Sequence, residues 1–299
     1  MTGTKGMKSV EIAFKTSGSA IAKETQNGFS LRILKNSSAS VEITINAREK
    51  GILRNTIVLE TGARATIYER TLGKSEGFES ITNAVLQEGA SMHFNFMQNL
   101  DFDSVYHCAK KATLAKNAKL VWNGAFFGGK TSVAAIESML EGEGAHAENY
   151  NSFFGSGSQT FNITTNSVHV APNTSGNVLS KGVLAGEAQA KQYGLIRIER
   201  KAAKTNCFLA AHALLLGKNA KAESFPSLEI LSNDVQSRHA ATADHLDEEK
   251  IFYLMTRGLN EKQAQATITE GFVGEVFQKS EGNAPKEWAE TLEERMRYV

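Results

Sequence analysis

Gly89-Ala90-Ser91-Met92-His93-Phe94-Asn95-Phe96 decides how this chain reads. A turn residue and a small residue precede a run in which Met92, Phe94 and Phe96 alternate with side chains of another kind. Period-two alternation of this sort puts one set of side chains inward and the other outward on a strand. The same arrangement stands at Gly62-Ala63 ahead of RATIYE, at Asn117-Ala118 ahead of KLVWNGAF and at Gly144-Ala145 ahead of HAENYNSF. The intervals between these pairs are 27, 28 and 27 residues, and the pair returns at Asn219-Ala220 ahead of KAESF. Gly and Asn tolerate the positive φ of a sharp turn, and Ala after them suits a crowded inward corner. A near-constant interval filled with strands and turns is the mark of a solenoid. The expected fold is therefore mainly β, with a right-handed β-helix core. An irregular β-sandwich is the alternative.

The pattern changes at His245. Asp247 can cap a helix over 248–257 that Gly258 ends, with Glu248 and Glu249 at its positive end. Asn260-Glu-Lys-Gln263 is a capping-box-like start to a second helix running toward Phe277, and a third is expected over Lys286–Tyr298 after a polar break at 280–285. This divides the chain into a β-helix core, residues 1–245, and a small helical tail, residues 246–299. The 299 residues are 41% hydrophobic, enough for a substantial core. Lys plus Arg number 33 and Asp plus Glu 32, so no global field attracts nucleic acid or an anionic membrane. Apolar runs such as 210–216 are far too short to span a bilayer, and Met1–Val10 has no apolar secretory core. Two cysteines, Cys108 and Cys207, make no disulfide framework and suit a reducing cytoplasm.

One motif competes with this reading. Gly124-Ala-Phe-Phe-Gly-Gly-Lys-Thr131 matches the phosphate-binding pattern G-x-x-x-x-G-K-[ST] and would make the chain an NTPase. A working P-loop needs a helix immediately after it, whose N-terminus supplies amide donors. Here the following segment ends at the Gly144-Ala145 corner on schedule, and a helix would break the interval. Phe126 and Phe127 are bulky where the backbone must wrap phosphate. Gly128-Gly129 reads better as a turn between strands, which leaves Lys130 solvated.

Three blocks carry a family resemblance. Val168-His-Val-Ala-Pro-Asn-Thr-Ser-Gly-Asn-Val-Leu-Ser-Lys-Gly-Val183 followed by Gly194-Leu-Ile-Arg-Ile198 is one. Phe225-Pro-Ser-Leu-Glu-Ile230, Ser237-Arg-His-Ala-Ala-Thr242 and the segment from Asp247 to Phe272 form the second, and Leu140–Ala145 is the third. Together they resemble the SufB/SufD family of iron–sulfur cluster assembly proteins. The resemblance implies a β-helix core and a helical C-terminal domain that docks a SufC-type ABC ATPase. It implies a non-hydrolytic scaffold, paired through its β-helix with itself or a SufB/SufD paralogue, on which a transient iron–sulfur cluster forms. Nothing in the sequence calls for a flavin. Against full-length members, the long N-terminal helical region is missing, since strand-like pattern begins near Val10. The SufB-type cysteine position falls on Ala211 and the SufB-type glutamate position on Ala240, whereas the histidine is kept as His239. The chain therefore looks SufD-like or of an ancestral minimal type.

His239 is the metal candidate that the resemblance favours, imidazole being a good borderline ligand for iron. Cys207 is a second, because thiolate is the natural ligand of iron–sulfur chemistry. It stands four residues before Ala211, on the same side of a regular strand, and a bulge would be needed to bring it closer. His212, beside Ala211, is a third. For each, an ordinary packing or hydrogen-bonding role is the competing reading, and for His169 the expected role is to tie a turn through its ring nitrogens. On the tail helices, Ile251, Leu254 and Met255 form an apolar stripe with Ala264, Ile268 and Phe272 on the next helix. These can pack on the β module, dock the ATPase, or do both on different faces. A structural or carbohydrate-facing β-solenoid with no metal role remains the alternative from another functional class.

Overall fold

The structure, a computed structural model, describes residues 10–297. The expectation about Met1–Val10 thus lies outside the described residues apart from Val10, as does the far end of the third helix at Tyr298. Among the described residues the chain runs through β1 (Val10–Gly18), β2 (Ala20–Thr25), β3 (Gly28–Ile33), β4 (Ser38–Ala47), β5 (Gly51–Leu59) and β6 (Arg64–Gly73). Next come β7 (Phe78–Leu86), β8 (Ser91–Leu100), β9 (Val105–Leu114), β10 (Lys119–Phe126), β11 (Thr131–Leu140) and β12 (His146–Gly155). Then follow β13 (Thr160–His169), β14 (Ser175–Leu184), β15 (Gln189–Ile198), β16 (Thr205–Leu215), β17 (Lys221–Ile230) and β18 (Val235–His245). Three helices end the chain, α1 (Glu248–Thr256), α2 (Glu261–Phe277) and α3 (Ala284–Met296).

The strands build a β-solenoid of about eight turns. From β4 onward they alternate between two nine-stranded sheets, even-numbered strands with β1 in sheet A and odd-numbered strands with β2 in sheet B. Like-numbered strands pair in parallel up each sheet, while β1 on β4 and β2 on β3 are antiparallel and close the N-terminal end. Corresponding residues in sheet A are Arg64, Ser91, Lys119, His146, Ser175, Asn206 and Gln236. The turn length therefore grows from 27 to about 30 residues along the solenoid.

The corner residues explain the repeat. Asn36, Gly62, Gly89, Asn117, Gly144, Asn173 and Lys204 all have φ between 52° and 70°, one per turn. Each donates its N–H to a carbonyl of the next turn, as Gly62 does to Glu88 at 2.9 Å and Asn117 to Glu143 at 2.9 Å. Ala63, Ala90, Ala118 and Ala145 follow them fully buried, and in the longer later turns Thr174 and Thr205 take that place. Asn219-Ala220 departs from the expectation. It leads into β17 of sheet B and so sits on the opposite corner, after Gly157 and Gly186, with its own φ outside the left-handed region.

Inward side chains of both sheets form a small cluster around Val178, Ile196 and Leu209 in the last turns and a long core in which Phe94, Phe96 and Trp122 are in mutual contact and Phe126 packs on Phe96. It also encloses an ion pair, Lys110 Nζ to Glu69 Oε1 at 2.8 Å, with the ammonium over the Phe94 and Phe96 rings. Cys108 is buried near this pair, and burial raises its thiol pKa. Helices α2 and α3 fold back over the outer face of sheet A. Trp288 donates to Tyr68 Oη at 3.2 Å, Phe277 packs edge-on to Phe127, and Arg70 grips the Glu287 carboxylate at 2.8 and 2.9 Å. Between β6 and β16 sheet A is thus covered on both sides, which explains adjacent apolar pairs that break strict alternation. Phe126, Phe153, Leu184 and Leu215 point into the solenoid, while Phe127, Phe154, Val183 and Leu214 meet the helices. The third helix begins two residues earlier than expected, because Pro285 sits in its first turn, where its missing N–H costs nothing.

Candidate functional site

The C-terminal end of the solenoid is built differently from its N-terminal end. β17 and β18 are the last strands of their sheets, each paired on one side only. Parallel strands run to the very edge, and the inward row of the last turn is partly bare. Ser224, Pro226, Leu228 and Ser237 are half-buried, and His239 is exposed. His239 pairs in register with Leu209, a fully interior residue, so its imidazole belongs to the inward row at the open mouth.

Cys207 lies one strand back on the same wall. It pairs with Ser237, two residues before His239, and strand geometry puts the Cys207 and His239 backbones about 8 Å apart. The thiol is buried among Val178, Ile196, Ile198 and Leu209 and donates to Ser237 Oγ at 3.3 Å. Burial raises its pKa, so it rests as a neutral thiol. Cys207 and Ala211 do share the inward face of β16. The register from Gly176–Cys207 to Ser180–Ala211 and onward to Ala241 is unbroken, so no bulge brings them together.

His212 faces the opposite way, outward toward α2. Its Nδ1 meets Thr242 Oγ1 at 2.9 Å, and burial followed by the Lys181 charge lowers its pKa. Lys181 in turn pairs with Glu275 of α2 at 2.6 Å and lies over the Phe272 ring. The structure therefore brings His239 and Cys207 to one wall and sets His212 in the seam beneath the helices. Ala240, in register with Ala210, also faces outward. Among the described residues no group of three or more His, Cys, Asp or Glu side chains is disposed to hold a metal.

His169 is held from both ring nitrogens. Ser167 Oγ lies 3.1 Å from Nε2 and Thr174 Oγ1 3.0 Å from Nδ1, and Thr174 also bonds the Ala171 carbonyl and Thr205. Burial, and then the charge of His146, lowers its pKa from 6.5 to about 4. The ring thus ties the 170–174 turn as a neutral group.

The phosphate-loop match resolves into strand, turn and strand. β10 ends at Phe126, Gly128 and Gly129 turn, and β11 begins at Thr131 with no helix following. Gly129 has φ 78°, and a Cβ on Gly128 would strike the Leu100 carbonyl. Phe126 and Phe127 are core residues and Lys130 is exposed.

The apolar stripe of the tail divides between two uses. Ile268 and Phe272 pack against the sheet A–helix core, together with Val273, Phe277, Trp288 and Leu292. Helix α1 carries no buried residue. Ile251 and Leu254 are half-covered, while Phe252, Tyr253 and Met255 are 68%, 56% and 44% exposed. Sequence reasoning passed over Phe252 and Tyr253 because they fall off the i, i+3, i+4 stripe. Two adjacent aromatics beside that stripe, which widen the apolar surface beyond one face of the helix, were the available signal. No helix among the described residues is long and apolar enough to cross a membrane.

Comparison with known proteins agrees with the resemblance in the sequence. The family described as "SUF system FeS cluster assembly, SufBD core domain" matches residues 43–272. An iron–sulfur cluster assembly SufBD family protein of Mycobacterium bovis is 29% identical over 202 residues, 67% of this chain and 24% of that one. One from Staphylococcus saprophyticus is 25% identical over 260 residues, covering 85% of this chain and 55% of its own length. The iron–sulfur cluster assembly protein SufD of Bacillus subtilis is 26% identical over 225 residues, 74% of this chain and 52% of that protein. The chain thus spans between about a quarter and about half the length of these relatives.

Proposed function

The chain belongs to the SufB/SufD family of iron–sulfur cluster assembly proteins, and from that premise we propose that it is a non-hydrolytic scaffold subunit on which a cluster, its cargo, is put together. The observation that carries this reading is His239 at the uncapped mouth of the solenoid. Exposed edge strands carry unpaired N–H and C=O groups and are ready to pair with another chain. β17 and β18 offer two such edges side by side, so a second copy or a SufB/SufD paralogue stacks end to end and continues both sheets. Iron–sulfur clusters are generally held by about four protein ligands. One chain contributes His239 and, one strand back, Cys207, and the partner supplies the remainder across the junction. With Ala211 and Ala240 at the SufB-type positions, the chain takes the SufD-like or minimal-type part. A reducing compartment such as the cytoplasm keeps the Cys207 thiol free for this role.

The energy comes from a SufC-type ABC ATPase docked on the tail. Phe252, Tyr253 and Met255 give α1 an apolar face for a helix-in-groove contact, while α2 and α3 anchor it to sheet A. Co-purification tests this directly. Replacing Phe252, Tyr253 and Met255 by Ser is expected to abolish capture of the ATPase and leave Tm unchanged, because none of the three is buried. Undiminished capture by that variant would remove α1 as the docking element.

A further inference from the structure

One turn beneath the open end, the solenoid encloses a small cavity walled mainly by apolar groups, Ile163, Val178 and Leu209 among them, with a few polar side chains in its lining. Thr165, Gln192 and Pro226 of sheet B face Ser180 and Ala211 of sheet A around it, and its volume is about 10 Å³. That is the smallest space that holds one water molecule. Ser180 Oγ and Gln192 Oε1 are buried with no protein partner. The Gln192 amide nitrogen is itself loosely held, 3.5 Å from the His212 carbonyl and 3.4 Å from Ser224 Oγ. Thr165 Oγ1 accepts from Asn151 Nδ2 at 3.2 Å and retains its own proton to donate. Buried polar atoms left without partners are costly, and a wall offering two to four of them is where proteins hold internal water.

We propose that this cavity is a binding site for one ordered water. The water donates to Gln192 Oε1, shares a hydrogen bond with Ser180 Oγ and accepts from the Thr165 hydroxyl. The site sets what position 211 can carry. Ala211 leaves the water in place, a hydroxyl there takes over its bonds, and a branched apolar side chain expels it and strands Gln192.

A high-resolution crystal structure of the full chain is the first test, since buried waters are part of the structure and make about three hydrogen bonds. One fully occupied water within hydrogen-bond distance of Gln192 Oε1 and Ser180 Oγ is expected. An empty cavity, or Gln192 turned onto a protein partner, overturns the proposal. Thermal unfolding supplies the second readout. Ala211→Val should lower Tm by several degrees and Ala211→Ser by far less. Overpacking alone would penalise Val whatever stands at 192, so the cycle is closed with Gln192→Met. In that background the Ala211→Val loss should fall by roughly half or more, because neighbouring sites that share a partner are not additive. An undiminished loss there overturns the proposal.

Discussion

His169 is the residue whose chemistry is most strongly set by the fold. It is neutral in the native state because burial lowers its pKa from 6.5 to about 4. Between those values the unfolded chain binds a proton that the native chain does not, so stability rises with pH across this window. The contribution is complete above pH 6.5 and is lost as pH falls toward 4, amounting to on the order of 3 kcal/mol. Urea unfolding at pH 7 and pH 4 should show that loss, and His169→Gln should reduce it; an equal loss in both proteins would contradict the assignment. Glu148, whose pKa is lowered to about 2 by its contact with His146, adds an acid-side loss at lower pH. The role of His169 was legible because HVAPNTS surrounds it with hydroxyl residues at turn spacing. The site residues were only partly legible. Period two correctly set Cys207 and Ala211 on one face, but strand direction alone could not reveal that His212 points into a seam made by a helix 60 residues downstream.

At the scale of elements, sheet A and the tail explain each other. A sheet covered on one face should alternate strictly, and sheet A departs from this within β6 and β8, where Tyr68 and Met97 reach the helices, and near the ends of later strands, where Phe127, Phe154, Val183 and Leu214 do so. Trp288 holds this second core together, packed on Phe277 and bonded to Tyr68. Trp288→Ala should cost about 3–5 kcal/mol locally, since it deletes the largest buried side chain of that layer. Limited proteolysis is expected to cut the variant within residues 246–297 while the solenoid survives. A cleavage pattern like that of the wild type would show that the helices are held by other means. Helix α2 and its capping box were readable from local sequence, since Asn260 and Gln263 satisfy each other's backbone. The position of α3 was not, because Pro285 reads equally well as a break or as a first-turn residue.

For the whole molecule, the recurrence of a left-handed corner followed by a buried small residue was enough to identify a solenoid. Each such corner recurs once per turn and each turn adds the same strand pair. What the recurrence could not convey is where the stack ends and what covers it. The N-terminal antiparallel strands, the fold-back of the tail and the open edge of β17 and β18 all depend on contacts between distant segments. The asymmetry of the two ends is the basis on which a cluster site is proposed at the open one. The most direct measurement is anaerobic reconstitution with iron, sulfide and the proposed ABC ATPase, comparing iron content and visible spectrum of the wild type, His239→Ala and Cys207→Ser. A cluster in the wild type, with iron retention about ten-fold lower or worse in His239→Ala, is the predicted result. Unchanged iron and spectrum in both variants would contradict a cluster site at the open end of the solenoid.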